Sequence, residues 1–208
     1  MPCKLVWITP EAEKNIIYIA RVSNPANQDN PKITGLLKYL IKHKHVSPFE
    51  MANMCIEITT TRAISAQIIR HRSFSFQEFS QRYAEVPSIE DCECRLQDSK
   101  NRQGSLDVDD DALKVWWDES KQSINDHCKE VYKQALEKGI AKECARFLLP
   151  MSSTSKLYMN GTIRSWIHYL EARTAWDTQK EHRELAEEIK NIFSEHMPTI
   201  AKALGFVE

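Results

Sequence analysis

The stretch from Asp109 to Gly139 constrains the fold most, because its apolar residues recur with the period of one long helix. Apolar side chains that recur three, four or seven positions apart share one face of a helix. Three acidic residues open the stretch, and Gly139 is expected to end the helix. The stripe that we expect to be buried consists of Leu113, Trp117, Ile124, Cys128, Val131 and Ala135.

Shorter patterns predict the other elements. The segments "KLVWI" and "NMCIEITTT" indicate strands, and Thr9 with Pro10 is expected to begin a helix. Further helices are predicted over residues 33–44, from residue 61 towards 70, just before Pro150 with Cys144 on the apolar face, and twice after the Ser-rich "MSSTSKLYM". The predicted class is α+β: one compact domain over residues 1–208, mostly helical with a small antiparallel sheet.

The charge balance and the apolar runs narrow the class of protein. The chain has 28 Lys and Arg against 29 Asp and Glu, whereas general nucleic-acid binders are usually strongly basic. No apolar run approaches the ~18–20 residues of a membrane helix, and the N-terminus has no cleavable signal pattern. We therefore expect a cytoplasmic protein that binds neither nucleic acid nor membrane.

Six cysteines are scattered along the chain, and only Cys92 and Cys94 are close together. Disulfide frameworks are typical of smaller secreted domains, so reduced thiols are expected. Cys92 and Cys94 with His43 and His45 match no common zinc spacing. No metal site is predicted.

Residues 70–83, "RHRSFSFQEFSQRY", combine cationic and aromatic side chains without glycine or proline. Arg70 and Arg72 would diverge on a helix but share a side in an extended or turning chain, so a helix is expected to end near residue 70. Guanidinium groups bind phosphate oxygens in pairs and stack on flat rings. The segment therefore indicates a nucleotide ligand, or else a surface lattice of Arg and Glu with the phenylalanines packed inward.

Three later arginines extend this pattern. Arg146 in "CARFLLP" lies off the apolar stripe of its predicted helix, and Arg173 is expected to end another helix. On that second helix Arg164, His168 and Glu171 recur at the spacing of a single face. Such a face is either part of a binding site or a solvated surface with modest ion pairs.

Taken together, these stretches resemble the flavin-dependent thymidylate synthases. "RHRSFSFQEFSQRY" has that family's Arg-His-Arg, seven residues, then Ser signature. "IARVSNP", "HKHVSPFE", "CARFLLP" and "GTIRSWIHYLEARTAWDTQKEHRE" resemble other segments of the family in the family's order, from about residue 20 to 190. Thr162 stands where the family often has Asn, and Asp177 where some members have His.

The resemblance implies a homotetramer with active sites at subunit interfaces, which converts dUMP to dTMP with FAD, NADPH and methylenetetrahydrofolate. It implies that Arg173 is catalytic. The residues expected to contact dUMP are Gln67, Ile68, Ile69, Arg70, Glu78, Phe79, Ser80, Gln81, Arg82, Arg146 and Arg173. The residues expected to contact FAD are Ser47, Arg70, His71, Arg72, Glu78, Thr162, Ile163, Arg164 and His168.

None of the six cysteines lies in an evidently electropositive motif, so no thiol nucleophile is predicted. In the resembled family reduced flavin supplies the hydride, while the protein supplies position and charge. Arg173 would then stabilise negative charge on the uracil ring. Two alternatives stay open: an FAD-dependent oxidoreductase without carbon transfer, and a non-enzymatic nucleotide-binding protein.

Overall fold

The structure is a computed structural model, and it describes residues 2–208. The described chain contains helices and strands in an α+β arrangement, which confirms the predicted class. The α-helices are α1 (Ala12–Ala20), α2 (Thr34–Lys42), α3 (Arg62–Ile68), α4 (Asp111–Glu137), α5 (Lys142–Ala145), α6 (Ile163–Arg173), α7 (Lys180–His196) and α8 (Pro198–Leu204). The strands are β1 (Cys3–Ile8), β2 (Asn53–Thr61), β3 (Ser75–Glu78), β4 (Leu96–Gln97), β5 (Ser105–Leu106) and β6 (Thr154–Thr162).

Four strands form one sheet in the order β1-β2-β6-β3, and β4 pairs with β5 in a separate two-stranded sheet. Strand β1 is antiparallel to β2, with Cys3 opposite Ile58 and Ile8 opposite Met54. Strands β4 and β5 are also antiparallel. These two sheets are the small antiparallel component that the sequence predicts.

The described chain divides into two compact units. The first unit comprises the chain up to Ile58, Ile69–Gln77 and Tyr158–Glu208, and the second comprises Thr59–Ile68 and Glu78–Leu157. That residues 1–208 act as one catalytic domain stays a prediction.

The first unit has a large apolar core. Its fully buried side chains include residues of α1, α2, β2, β6, α6, α7 and α8. Trp166 of α6 donates its indole N–H to the Met54 carbonyl of β2 at 2.9 Å, so even this large ring has its polar atom paired. The core therefore fixes α6 against β2, and with it the residues on the other faces of α6.

The second unit has a smaller core around Tyr132, Ala135 and Ala145. Helix α4 begins with Asp110, whose carboxylate accepts the Leu113 amide N–H at 3.0 Å. It ends before Gly139. This glycine has a φ of 78°, a backbone conformation that residues with a side chain rarely adopt. The predicted bounds of the long helix are thus confirmed, but its predicted stripe is partly wrong. Ile124 is 58% exposed, because Asn125 and not Ile124 faces inward.

Two further predictions on local structure are wrong. Helix α1 begins at Ala12 rather than at Thr9, because the Thr9 hydroxyl accepts the Asn53 amide N–H of β2 at 2.9 Å and does not cap a helix. Cys144 is exposed and Cys128 half-buried. The helix before Pro150 is only four residues long, too short to bury a whole face.

Strand β6 is an element that the Ser-rich sequence does not predict. Its first two residues, Thr154 and Ser155, are polar yet buried. Thr154 donates its hydroxyl to the Ser88 carbonyl at 2.8 Å, and Ser155 donates to Glu78 at 2.7 Å. Because these hydrogen bonds satisfy the hydroxyls, a strand that looks polar in sequence lies inside the protein.

Candidate active site

The aromatic side chains of the "RHRSFSF" segment anchor it in the first unit. After α3 ends at Ile68, the chain turns, and the Phe74 amide N–H donates to the His71 carbonyl at 3.2 Å. The Phe74 ring is buried, with its centroid 4.8 Å from that of Trp166 and 5.8 Å from that of Tyr169. The inward-packed phenylalanine of the plainer interpretation is therefore present.

The cationic side chains of the same segment remain available. Arg70 and Arg72 are exposed, while His71 between them is half-buried. A segment that is held by one buried ring and presents two guanidinium groups can bind an anionic ligand without reorganising its backbone.

His71 and Arg173 form a hydrogen bond in the first unit. The Nε–H of Arg173 donates to Nε2 of His71 at 2.8 Å. Partial burial, together with the charges of Arg173 and His168, lowers the pKa of His71 to about 4. His71 is therefore a neutral acceptor near neutral pH, and Arg173, the last residue of α6, keeps the rest of its guanidinium fork for another partner.

A cavity of about 690 Å³ opens beside α6 in the same unit. Its apolar wall includes Ile41, Phe49 and Leu204. Arg164, His168 and Glu171 of α6 line it together, which confirms that they share one helix face. A mostly apolar cavity with a few polar side chains is typical of sites for small molecules and cofactors.

Two residues in the lining of this cavity form an ion pair. Arg164 donates to the carboxylate of Glu50, which comes from the "SPFE" turn. Ser165, also in the lining, donates its hydroxyl to the Ser73 carbonyl at 3.2 Å. This second contact ties the start of α6 to the segment that carries His71.

The other residues predicted to contact FAD lie at the ends of elements. Ser47 is exposed at the start of a 3₁₀ turn, Ser47–Met51. Thr162 caps α6, since its hydroxyl oxygen accepts the Ser165 amide N–H at 3.2 Å. The Ile163 side chain is fully buried. None of these three belongs to the described lining of the cavity, and their contact with FAD stays a prediction.

Glu78 is the acidic centre of the second unit. It forms an ion pair with Arg62 and accepts the hydroxyl of Ser155 at 2.7 Å. Burial raises the pKa of Glu78, but hydrogen bonds from Ser155, Ser65 and Arg62 and the charge of Arg62 outweigh it and leave a net lowered pKa. Glu78 is therefore a carboxylate fixed in place, suited to accept a hydrogen bond from a ligand N–H or O–H.

Arg82 and Arg146 meet the same glutamate in the second unit. Arg82 lies 3.2 Å from the carboxylate of Glu143, and Arg146 donates its Nε–H to the Glu143 carbonyl at 3.3 Å. The aromatic residues that come directly after each arginine, Tyr83 and Phe147, are 87% and 82% exposed. The Arg146 guanidinium lies 5.7 Å from the centroid of the Phe147 ring. Two guanidinium groups together with exposed aromatic residues suit a ligand that has both a phosphate and a flat ring.

The remaining residues predicted to contact dUMP differ in burial and hydrogen bonding. Ser80 begins a turn in which its carbonyl accepts the amide N–H groups of Tyr83 and Ala84, each at 3.0 Å. The Nε2 atom of Gln81 is buried and has no hydrogen-bond partner among the described residues. Ile68 is fully buried, Gln67 and Phe79 are half-buried, and Ile69 and Arg70 are exposed.

Several neighbours of the site carry no strong signal in the sequence. They are Glu50, Arg62, Glu143, Ser155 and Ser165. Only Glu50 could have been found, because it belongs to the "HKHVSPFE" segment. The others form ion pairs or hydrogen bonds with site residues elsewhere in the chain or in a neighbouring turn. No local sequence pattern predicts these interactions.

The buried thiols resist ionisation, and the side chains that could bind a metal ion are dispersed. Burial raises the pKa of Cys3 and of Cys55. Within residues 2–208 no cluster of three or more His, Cys, Asp or Glu side chains could hold a metal ion. Each helix in this part of the chain is either too short or too polar to span a lipid bilayer.

Comparisons with known proteins extend over almost the whole chain. A family model described as Thymidylate synthase complementing protein matches residues 4–199. A probable flavin-dependent thymidylate synthase of Paramecium bursaria Chlorella virus 1 is 52% identical over 216 residues, covering 100% of both chains. A flavin-dependent thymidylate synthase of Synechocystis sp. is 53% identical over 189 residues, covering 91% of this chain and 87% of that one.

A comparison of the fold with solved structures finds a related enzyme. The crystal structure of a UMP/dUMP methylase, PolB from Streptomyces cacaoi, bound with 5-Br dUMP, superposes with a TM-score of 0.83 at 29% identity. The match covers 98% of this chain and 93% of that one. The chain belongs to the family of flavin-dependent thymidylate synthases. It is therefore a flavoprotein enzyme of the methyltransferase class.

Proposed function

We propose that this protein methylates dUMP to dTMP, with methylenetetrahydrofolate as carbon donor and FAD reduced by NADPH. The observation that carries the proposal is the likeness to the viral flavin-dependent thymidylate synthase over 100% of both chains. The UMP/dUMP methylase bound with 5-Br dUMP supports a uridine monophosphate as substrate. A cytoplasmic homotetramer with sites at subunit interfaces is part of the same proposal.

The cavity beside α6 fits part of a flavin. Its volume of about 690 Å³ lies within the roughly 300–1,000 Å³ typical of ligand sites. Apolar side chains would cover a flat ring system, while Arg164 would pair with a phosphate in place of Glu50. We therefore assign Arg164 and His168, with Ser47, Arg70, His71, Arg72, Glu78, Thr162 and Ile163, to FAD.

The nucleotide would be held by guanidinium groups. Arg82 and Arg146 are each followed in the sequence by an exposed aromatic residue and would bind phosphate or ring oxygens. Glu78 is held as a carboxylate and would orient the nucleotide by accepting a hydrogen bond. Gln67, Ile68, Ile69, Arg70, Phe79, Ser80 and Gln81 would complete the dUMP site.

Arg173 would stabilise the negative charge that develops on the uracil ring. Its Nε–H is held by His71, so the remaining N–H groups have a defined direction and need little reorganisation during the reaction. Bound FAD, once reduced by NADPH, supplies the hydride that completes the methyl group. No protein thiol is required, and the raised pKa of the buried Cys3 and Cys55 disfavours a thiolate at either position.

A product assay tests this function. The full chain is incubated with FAD, NADPH, methylenetetrahydrofolate and dUMP, and the nucleotides are separated and quantified. We expect dTMP that depends on all four additions. Oxidation of NADPH without dTMP would favour the oxidoreductase without carbon transfer, and a protein that binds nucleotide but no FAD would favour the non-enzymatic alternative.

A further inference from the structure

Two polar residues in the core of the first unit have no role in the proposed function. Tyr169 of α6 and His182 of α7 are both fully buried, and the Tyr169 hydroxyl lies 3.0 Å from Nε2 of His182. A buried hydroxyl and a buried imidazole could be replaced by apolar side chains at little cost to packing. Their position next to the site suggests a functional reason for them.

The hydrogen bond from Arg173 fixes the tautomer of His71. A guanidinium group has only donors, so Nε2 of His71 must offer a lone pair to the Arg173 Nε–H. The proton of the neutral imidazole is therefore on Nδ1. Protonation of Nε2 would remove the acceptor and place two cations side by side.

The rings of Tyr169 and His182 both lie close to the ring of His71. The ring of Tyr169 meets that of His71 edge-on, with centroids 4.9 Å apart and planes at 79°. The ring of His182 is 6.4 Å from that of His71, at 87°. The hydroxyl contact between Tyr169 and His182 locks both rings, so the orientation of His71 is set from two helices.

The charges around the cluster favour neutral imidazoles. Burial, then the charges of Arg173 and His71, lower the pKa of His182 to about 4. Burial and then Arg173 and His168 lower the pKa of His71 in the same way. Burial raises the pKa of Tyr169, with a further increase from Cys3 and an opposing effect of Arg173.

We propose that Tyr169 and His182 are positioning residues that hold the His71 ring where its Nε2 accepts from Arg173, and so direct the Arg173 guanidinium at the uracil ring. The inference rests on the proposed function, since it assigns a purpose to the direction of Arg173. It adds a buried pair on α6 and α7 that touches neither substrate nor cofactor.

The test reads the His71 tautomer directly. Nitrogen-15 NMR spectra of the histidine rings are recorded for the full chain and for Y169F, H182Q and H182A, without dUMP. Y169F keeps the ring but removes the hydroxyl, and H182Q retains a polar group that can meet the tyrosine hydroxyl. Y132F is the matched control, because Tyr132 is a buried tyrosine of the second unit with no part in the proposal.

We expect His71 to carry its proton on Nδ1 in the wild type, Y132F and H182Q. In Y169F and H182A we expect mixed tautomers, protonation of His71 at a higher pH, and a kcat for dTMP formation about tenfold lower, as loss of one positioned hydrogen bond implies. The acid limb of the pH–rate profile should move to higher pH in the same two variants.

An unchanged Nδ1–H tautomer in Y169F would overturn the proposal, even if H182A failed to fold. Loss of kcat in Y169F with an unchanged tautomer and pH profile would equally contradict it, because the hydroxyl would then act in some other way. The spectra require no turnover, so absence of dTMP formation by the wild type would count against the proposed function and not against this inference.

Discussion

Gly161 lies directly against the ring of Phe74. A Cβ atom at position 161 would be 2.4 Å from Cδ1 and 2.6 Å from Cε1 of Phe74, far inside van der Waals contact. Phe74 is the ring that anchors the "RHRSFSF" segment against Trp166. A glycine of β6 therefore makes room for the anchor of a segment that presents the site arginines.

Changing Gly161 to Ala should displace Phe74 and destabilise the protein. We expect the free energy of unfolding to fall by about 1–3 kcal/mol, the usual cost of overpacking, as measured by urea denaturation. The matched control is G35A, because a Cβ at Gly35 of α2 meets no atom within 4 Å. G35A should be neutral or stabilising by up to about 1 kcal/mol. Equal stability of G161A and wild type would show that Phe74 is not held as described.

Replacing Arg173 should lower kcat far more than it lowers FAD binding. R173A removes the guanidinium, and R173K keeps the charge but loses the planar fork and the Nε–H that meets His71. We expect kcat for dTMP formation to fall about a hundredfold in both, equivalent to ~3 kcal/mol of barrier. The exposed Arg102 provides the control R102K, which should keep wild-type kcat. Near-normal turnover by R173K would contradict the assigned role.

Neutralising Glu143 should strengthen dUMP binding. Its carboxylate lies 3.2 Å from Arg82 and would compete there with the phosphate of the nucleotide. Because exposed ion pairs are worth about 0.2–1 kcal/mol, E143Q should lower the Kd of dUMP by up to about fivefold in isothermal titration calorimetry. R82A should raise that Kd. A weaker affinity of E143Q would mean that Glu143 positions Arg82 rather than competing for it.

The buried His182 should make the protein less stable in mild acid. Its pKa is lowered from 6.5 to about 4 in the folded protein, so between those values the unfolded chain binds a proton that the folded chain does not. The free energy of unfolding is therefore unaffected by His182 above pH 6.5, and it decreases as the pH falls from 6.5 to about 4. Below pH 4 this group causes no further change. The loss is at most about 3 kcal/mol for this group.

Urea denaturation at pH 7 and at pH 4.5 measures this effect. H182Q should be less sensitive to the change in pH than the wild type, while H127Q, at an exposed histidine of α4, should behave like the wild type. The same pH dependence in H182Q and wild type would show that His182 does not titrate in this range.

Part of the local structure could be predicted from the sequence. The Arg164, His168 and Glu171 spacing predicts one helix face, and the three residues line one cavity. The end of α3 near residue 70 agrees with the change of pattern after Ile68. These features depend on local periodicity, which the sequence carries directly.

Tertiary hydrogen bonds account for the elements that local patterns predict wrongly. Strand β6 begins with Thr154 and Ser155, whose burial depends on Ser88 and Glu78. Thr9 accepts from Asn53 of β2 instead of capping α1. The same limit applies to the site, because the contact of His71 with Arg173 joins residues 102 positions apart.

A single-turnover experiment with C144A tests the central claim most directly. Cys144 is an exposed cysteine two positions from Arg146, a residue predicted to contact dUMP, and so its thiol is the one to remove in a test for thiol catalysis. The FAD-loaded variant is reduced with one equivalent of NADPH and mixed with dUMP and methylenetetrahydrofolate, and dTMP is quantified against recovered FAD absorbance. The account predicts one dTMP for each flavin reoxidised, at a rate close to that of the wild type. Flavin reoxidation without dTMP in C144A, when the wild type forms dTMP, would contradict it.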